Sequence, residues 1–192
     1  MSSHSIVSLP RELPILKTRI PLSVCSSLLI HSEPFIEDVS CNLKNTKRTG
    51  WQIHSEEQVR PHSEEIMEHL LSGLKYLFLA PYDNLFQDRN PFRLGLHNSW
   101  VAWYGDESTV LPHVHGAMPY EWSFCVYLDA PEDGTSISFF LEKEHLVNQH
   151  QAKINVMKGD VVCFPASLPH FVEKCTDGRV IYSGNFHICP NE

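Results

Sequence analysis

The sequence predicts a mainly β (α+β) fold, a β-sandwich or barrel with helices packed on one sheet. Three observations carry this. Seven short candidate strands follow one another after about residue 95, with turn residues between them. Within one of them Trp122, Phe124, Val126 and Leu128 alternate with Ser123, Cys125, Tyr127 and Asp129, the period of a sheet with two unlike faces. Both segments with helical patterning precede the strands, so the helices buttress rather than alternate with them. A length of 192 residues fits one domain, 1–192, with residues 1–95 as supporting strands and helices and 96–188 as the β core.

In chain order, Ser23 to His31 is short, apolar and preceded by Pro21, and reads as a helix. A longer helix starts near Ser63, an N-cap candidate, with Glu64 and Glu65 in the first turn, where the helix dipole favours acid. Its apolar stripe is Ile66, Leu70, Leu74 and Leu77, and it ends before Pro81. The candidate strands are Ser99–Tyr104, Trp122–Leu128, Ser136–Leu141, Lys153–Val156, Asp160–Phe164, His170–Lys174 and Val180–Phe186. Pro131-Glu132-Asp133-Gly134, Lys158-Gly159-Asp160 and Thr176-Asp177-Gly178 are the turns between them. The polar stretch Glu142–Gln151 is a loop or short helix over the barrel mouth.

Composition narrows the function classes. The net charge of −8 argues against a protein built to grip phosphate backbones, and Lys44, Lys47 and Arg48 form only a small basic cluster, expected in a loop. No nucleic-acid partner is expected. No apolar run approaches the length of a membrane span. The opening residues lack a signal-peptide pattern, and the six cysteines contain no C-x-x-C. Reduced thiols and a cytoplasmic location are the expectation. The unusual count is His, at 12, which raises the prospect of a metal.

The informative stretch is Pro112-His113-Val114-His115. On a strand, residues two apart share a side, so His113 and His115 can reach one ion while Val114 turns away. Downstream, Gly159 to His170 is a turn, a buried strand, a Pro-punctuated turn and a His placed to bring a third ligand across a barrel mouth. Arg179 follows nine residues later, ahead of Val180-Ile181-Tyr182. The other histidines carry no such spacing. His4, His31, His54, His62 and His69 read as solvent-facing and His145 and His150 as part of the polar stretch, while nothing compels His97 or His187 toward the site. Asn98, Trp100 and Trp103 read as core.

Taken with Gly50-Trp51-Gln52, the Ser123 to Leu128 strand, Phe164 to His170 and Arg179 followed by Asn185, this order resembles the Fe(II)/2-oxoglutarate-dependent oxygenases, and within them a phage- and bacteria-associated group with an H-x-H motif. The resemblance covers roughly residues 45 to 188 and is most specific from Gly159 to Phe186. It implies a double-stranded β-helix, the jelly-roll or cupin-like barrel. It implies Fe(II) as cofactor, 2-oxoglutarate as cosubstrate, O2 as substrate, and His113 and His170 as metal ligands. Arg179 would pair with the distal carboxylate of 2-oxoglutarate, a task suited to a planar, permanently charged guanidinium. Tyr127 matches a tyrosine that helps hold the same carboxylate, or is a packing aromatic. No catalytic residue beyond the metal ligands is implied.

Two departures from the family pattern stand out. The usual triad has one carboxylate, and here that position is His115. His115 completes a three-His site, or Glu121 swings in as the acid, or the position stays vacant; coordination by His115 is favoured, because the H-x-H group carries His there. Ile181 stands where many relatives have Ser or Thr, leaving Ser183 or Asn185 to make that hydrogen bond. The expected activity is an oxygenase acting on a small-molecule or peptide substrate, as monomer or homodimer. The alternatives are a cupin-type metal enzyme without 2-oxoglutarate, which has no need of Arg179, and a ligand-binding barrel that catalyses nothing.

Overall fold

The computed structural model describes residues 5–7, 14–38, 46–49, 60–79, 92–116, 121–140, 151–173 and 178–191. Gly50-Trp51-Gln52, residues 142–150 of the expected mouth segment, and Thr176 and Asp177 of the expected turn lie outside them.

Twelve strands and two helices make up the described chain. Strands β1 (Ser5–Val7) and β2 (Ile15–Arg19) are followed by α1 (Leu22–Ser32), a 3-10 turn, β3 (Ile36–Asp38), β4 (Thr46–Thr49) and α2 (Arg60–Leu79). Then come β5 (Phe92–Tyr104), β6 (Val110–His113), β7 (Glu121–Asp129), β8 (Thr135–Phe140), β9 (Gln151–Val156), β10 (Asp160–Pro165), β11 (His170–Val172) and β12 (Arg179–Pro190). They form an eight-stranded sheet in the order β1-β2-β10-β7-β12-β5-β4-β3, facing a four-stranded sheet in the order β6-β11-β8-β9. The pairings along both sheets are antiparallel. Two opposed antiparallel sheets with helices on one outer face make the double-stranded β-helix that the sequence predicts.

The alternation along β7 explains how the layers are held. Trp122, Phe124, Val126 and Leu128 face outward into a cluster with Val24 and Leu28 of α1 and Ile66, Leu70 and Leu74 of α2. Cys125 and Tyr127 face inward among Phe139, Ile154, Phe164 and Ile181, between the sheets. The polar half of the alternation therefore lines the barrel interior rather than the solvent. Gly134 and Gly159 adopt φ of 83° and 87° in their tight turns, a conformation that glycine takes without steric cost.

The first 95 residues supply strands as well as helices, and β1–β4 extend the large sheet at both edges. They are three to five residues long, too short to show a period. Two local expectations need correction. Lys47 and Arg48 lie in strand β4, not in a loop; Thr46 and Thr49 are buried there while the two charges face out, an arrangement that blunts an edge region. Ser63 is not the N-cap of the second helix, because α2 starts at Arg60 with Pro61 in its first turn. The Ser63 hydroxyl is buried instead and lies 3.1 Å from the Tyr182 hydroxyl of β12.

Candidate metal centre

Register on the small sheet builds the first half of the site. His113 ends β6 directly opposite His170, the first residue of β11, and the two rings lie 4.3 Å apart by centroid. His115 follows in the bend after β6, where its backbone N–H donates to the Ala166 carbonyl at 2.9 Å and folds the bend back over the β10–β11 turn. Trp100 of β5 stacks on the His115 ring at 5.7 Å with an interplanar angle of 10°. The ligand-capable atoms of His113, His115 and His170 all lie within 4.8 Å of one another, while Val114 faces solvent.

The hydrogen bonds fix which nitrogens are available. Nδ1 of His113 is 2.8 Å from the Leu111 carbonyl, and Nδ1 of His170 is 3.0 Å from the Leu168 carbonyl. A carbonyl only accepts, so both Nδ1 atoms carry the proton and both Nε2 atoms present a lone pair. The Nε2 atoms of His113 and His115 are 3.0 Å apart. Burial, reinforced by the neighbouring His113, lowers the His115 pKa to about 4. Burial lowers that of His170 to about 3, against the opposing pull of the Leu168 carbonyl. Both rings are therefore neutral at pH 7, the protonation state a metal ligand needs. Ligands on one face of an ion at ~2.1 Å stand roughly 3.0–3.4 Å apart, so closure of the widest pair by roughly 1.5 Å would let all three reach one ion, and the donor set fits a divalent transition metal.

The second half of the site lies on the large sheet. Arg179 opens β12 opposite Tyr104, and its guanidinium sits 4.4 Å over the Tyr104 ring. It is 2% exposed, and its Nε and both terminal nitrogens have no hydrogen-bond partner among the described residues. Cation–π contact offsets only part of the cost of burying that charge. Tyr127 is buried in the same interior, and burial raises its pKa well above the usual range, so its hydroxyl stays protonated. A buried cation beside a neutral phenol suits a carboxylate ligand.

The remaining candidates separate. Glu121 is outside the His group; it lines a neighbouring cavity of about 180 Å³ together with His97, Asn98, His115, Asn185 and His187. Ile181 is packed in the interior core, as expected of a position with no hydroxyl to offer. Asn185 is partly engaged on the large sheet, where one of its amide hydrogens donates to Asn98 at 2.7 Å and its oxygen accepts from Ser123 at 2.8 Å. Ser183, 3.5 Å from the Cys125 sulfur, remains in reach of that region. Trp100 packs against the inner core, as expected, and also stacks on His115, while Asn98, expected in the core, lines the cavity beside His115. Their spacing of two on one strand gives them a shared inward face.

No protein-family model matches the chain, and no curated protein sequence matches it. Solved structures do resemble it in fold. A Pseudomonas putida prolyl-4-hydroxylase superposes with a TM-score of 0.61 at 16% identity, over 92% of this chain and 93% of its own. HygX from Streptomyces hygroscopicus, holding nickel and 2-oxoglutarate, gives 0.58 at 15% identity, over 94% and 87%. The non-heme alpha ketoglutarate dependent epimerase SnoN from nogalamycin biosynthesis gives 0.66 at 12% identity, over 92% and 78%. The chain has the double-stranded β-helix fold of the 2-oxoglutarate-dependent oxygenases.

Proposed function

We propose that the protein is a non-haem Fe(II)- and 2-oxoglutarate-dependent oxygenase, formed as a single domain over residues 1–192, that hydroxylates an unactivated C–H bond of a small-molecule or peptide substrate. His113, His115 and His170 hold the iron through neutral imidazoles. Arg179, assisted by Tyr127, binds the distal carboxylate of 2-oxoglutarate. Iron, when bound, couples O2 reduction to decarboxylation of 2-oxoglutarate: one oxygen atom enters the substrate as hydroxyl and the other enters succinate, with release of CO2. The chain's own contribution is to orient the cosubstrate through Arg179 and to keep water from a largely apolar barrel interior. A cytoplasmic monomer or homodimer fits this activity. Among the described residues no helix is long and apolar enough to cross a membrane.

One observation carries the proposal over a cupin-type metal enzyme. A buried guanidinium with three nitrogens unpartnered among the described residues is costly unless an anion comes to it, and metal chemistry without 2-oxoglutarate gives no reason for it. Anaerobic titration tests this. Adding Fe(II) and then 2-oxoglutarate produces a weak metal-to-ligand charge-transfer band in the visible range, and admitting O2 yields succinate. Iron binding with no spectral response to 2-oxoglutarate favours the cupin-type alternative, and no iron binding at all favours the non-catalytic barrel.

A further inference from the structure

The cavity of about 180 Å³ beside His115 is distinct from the Arg179 region. Asn185 and Arg179 are six residues apart on β12, about 20 Å at strand rise, so the cavity lies toward the other end of the barrel from the guanidinium. Among its described lining residues the one carboxylate is Glu121, and the apolar side chains are Ala166 and Phe186. Glu121 and His187 are direct cross-strand neighbours on β7 and β12. Among the described residues the Glu121 carboxylate makes no ion pair or hydrogen bond.

Two glycines make room for these side chains. A Cβ on Gly116 would run into the Glu121 carboxylate, and one on Gly95 would stand 2.6 Å from His187 Nε2. Above Glu121, Asn185 donates one amide hydrogen to Asn98. The second Asn185 N–H and the Asn98 amide hydrogens have no protein acceptor among the described residues, and they suit hydroxyl or carbonyl oxygens. At this volume the cavity takes one end of a substrate rather than a whole drug-sized molecule.

We propose that this cavity seats a protonated amine flanked by hydroxyl or carbonyl oxygens of the substrate, with Glu121 as counter-ion and the Asn98–Asn185 amides holding those oxygens. Calling it the substrate end rests on the oxygenase assignment, which places the reacting centre at His115. The net charge of −8 favours approach of a cation.

The test uses a matched pair, D-glucosamine and D-glucose, titrated into 15N-labelled protein while following the indole N–H of Trp100, which stacks on His115. Glucosamine is expected to bind at least tenfold more tightly than glucose and not to be displaced by 2-oxoglutarate. Glu121→Gln removes the preference. Gly116→Ala, which leaves the charge but displaces it, weakens it at least threefold. Equal binding of the two sugars, binding of neither, or a preference that survives Glu121→Gln overturns the proposal. So does loss of Ni(II) affinity in Glu121→Gln, which would make Glu121 a metal ligand. Should Glu121→Gln fail to fold, Glu121→Asp and Gly116→Ala decide it. Ni(II) and 2-oxoglutarate affinities on the same samples separate the two claims: their absence with the amine preference intact overturns the oxygenase assignment alone.

Discussion

At the scale of single residues, the groups that suit ligand binding work against the stability of the free protein. Arg179 is buried with three unpartnered nitrogens. Replacing such a group by an apolar side chain of similar length removes a desolvation cost without opening a large cavity. Arg179→Met is therefore expected to stabilise the ligand-free protein by about 1–2 kcal/mol in urea unfolding. The same change weakens 2-oxoglutarate binding more than tenfold, because a charge-assisted pair is lost, and leaves metal affinity intact. A variant that is both less stable and normal in 2-oxoglutarate binding would place the arginine in a structural role. The histidines behave similarly. The folded-state pKa values of His115 and His170 are lowered to about 4 and about 3 from 6.5. Between those values and 6.5 the unfolded chain binds the extra protons, so their contribution to stability is complete above pH 6.5 and is lost as pH falls toward 4. The metal-free protein should lose about 3 kcal/mol for each of the two histidines over that window, about 6 kcal/mol in all. His115→Gln should show a shallower pH slope in the same denaturation series, and an equal slope would mean the titrating groups are elsewhere.

At the scale of elements, packing overrides local signals in ways that show what the sequence can disclose. The inner-strand periods, both helices and the order from His113 to Arg179 are legible because they rest on repetition or on short-range spacing. Strands β1–β4 are not legible, since a strand of three to five residues at a sheet edge shows no period of its own. The cavity with Glu121 and His187 is also hidden, because these residues are 66 positions apart in number and meet only through the β7–β12 register. Ser63 is the clearest case of local logic giving way to packing. Its place ahead of two acids suggests a cap, yet the Tyr182 hydroxyl donates to Ser99 at 3.1 Å, which leaves Ser63 to donate to Tyr182. The chain Ser63–Tyr182–Ser99 thereby pins α2 to strands β12 and β5. Ser63→Ala is expected to cost about 1–2 kcal/mol, and Tyr182→Phe a similar amount. The double variant should cost less than the sum, because the two changes remove the same interaction. Additive losses in urea denaturation would return Ser63 to a simple helix-start role.

At the scale of the whole molecule, the two halves of the proposed site sit on different sheets. His113 and His170 belong to the four-stranded sheet, on its four-residue strand β6 and three-residue strand β11, and β6 is an edge strand. Arg179 belongs to β12, a twelve-residue strand paired along its length with β5 and from Val180 to His187 with β7. The large sheet is backed by both helices, while the histidines stand on the shorter, less supported elements, which are the ones expected to open first. A ligand that chelates a metal on one sheet and meets a guanidinium on the other therefore ties the weaker layer to the stronger. Binding of 2-oxoglutarate should depend on the metal, since its two ends are held by different sheets. At a hundred times its dissociation constant the ligand adds about 2.7 kcal/mol. For a chain of this length that corresponds to a rise in Tm of roughly 5–10 °C. The rise is expected in protein loaded with Ni(II), which does not support turnover, and should be absent both from metal-free protein and from Arg179→Met. Hydrogen exchange should slow most at the amides of β6 and β11 rather than along β12. A Tm rise of the same size without metal would show that 2-oxoglutarate is held by the large sheet alone, and the bridging account would fail.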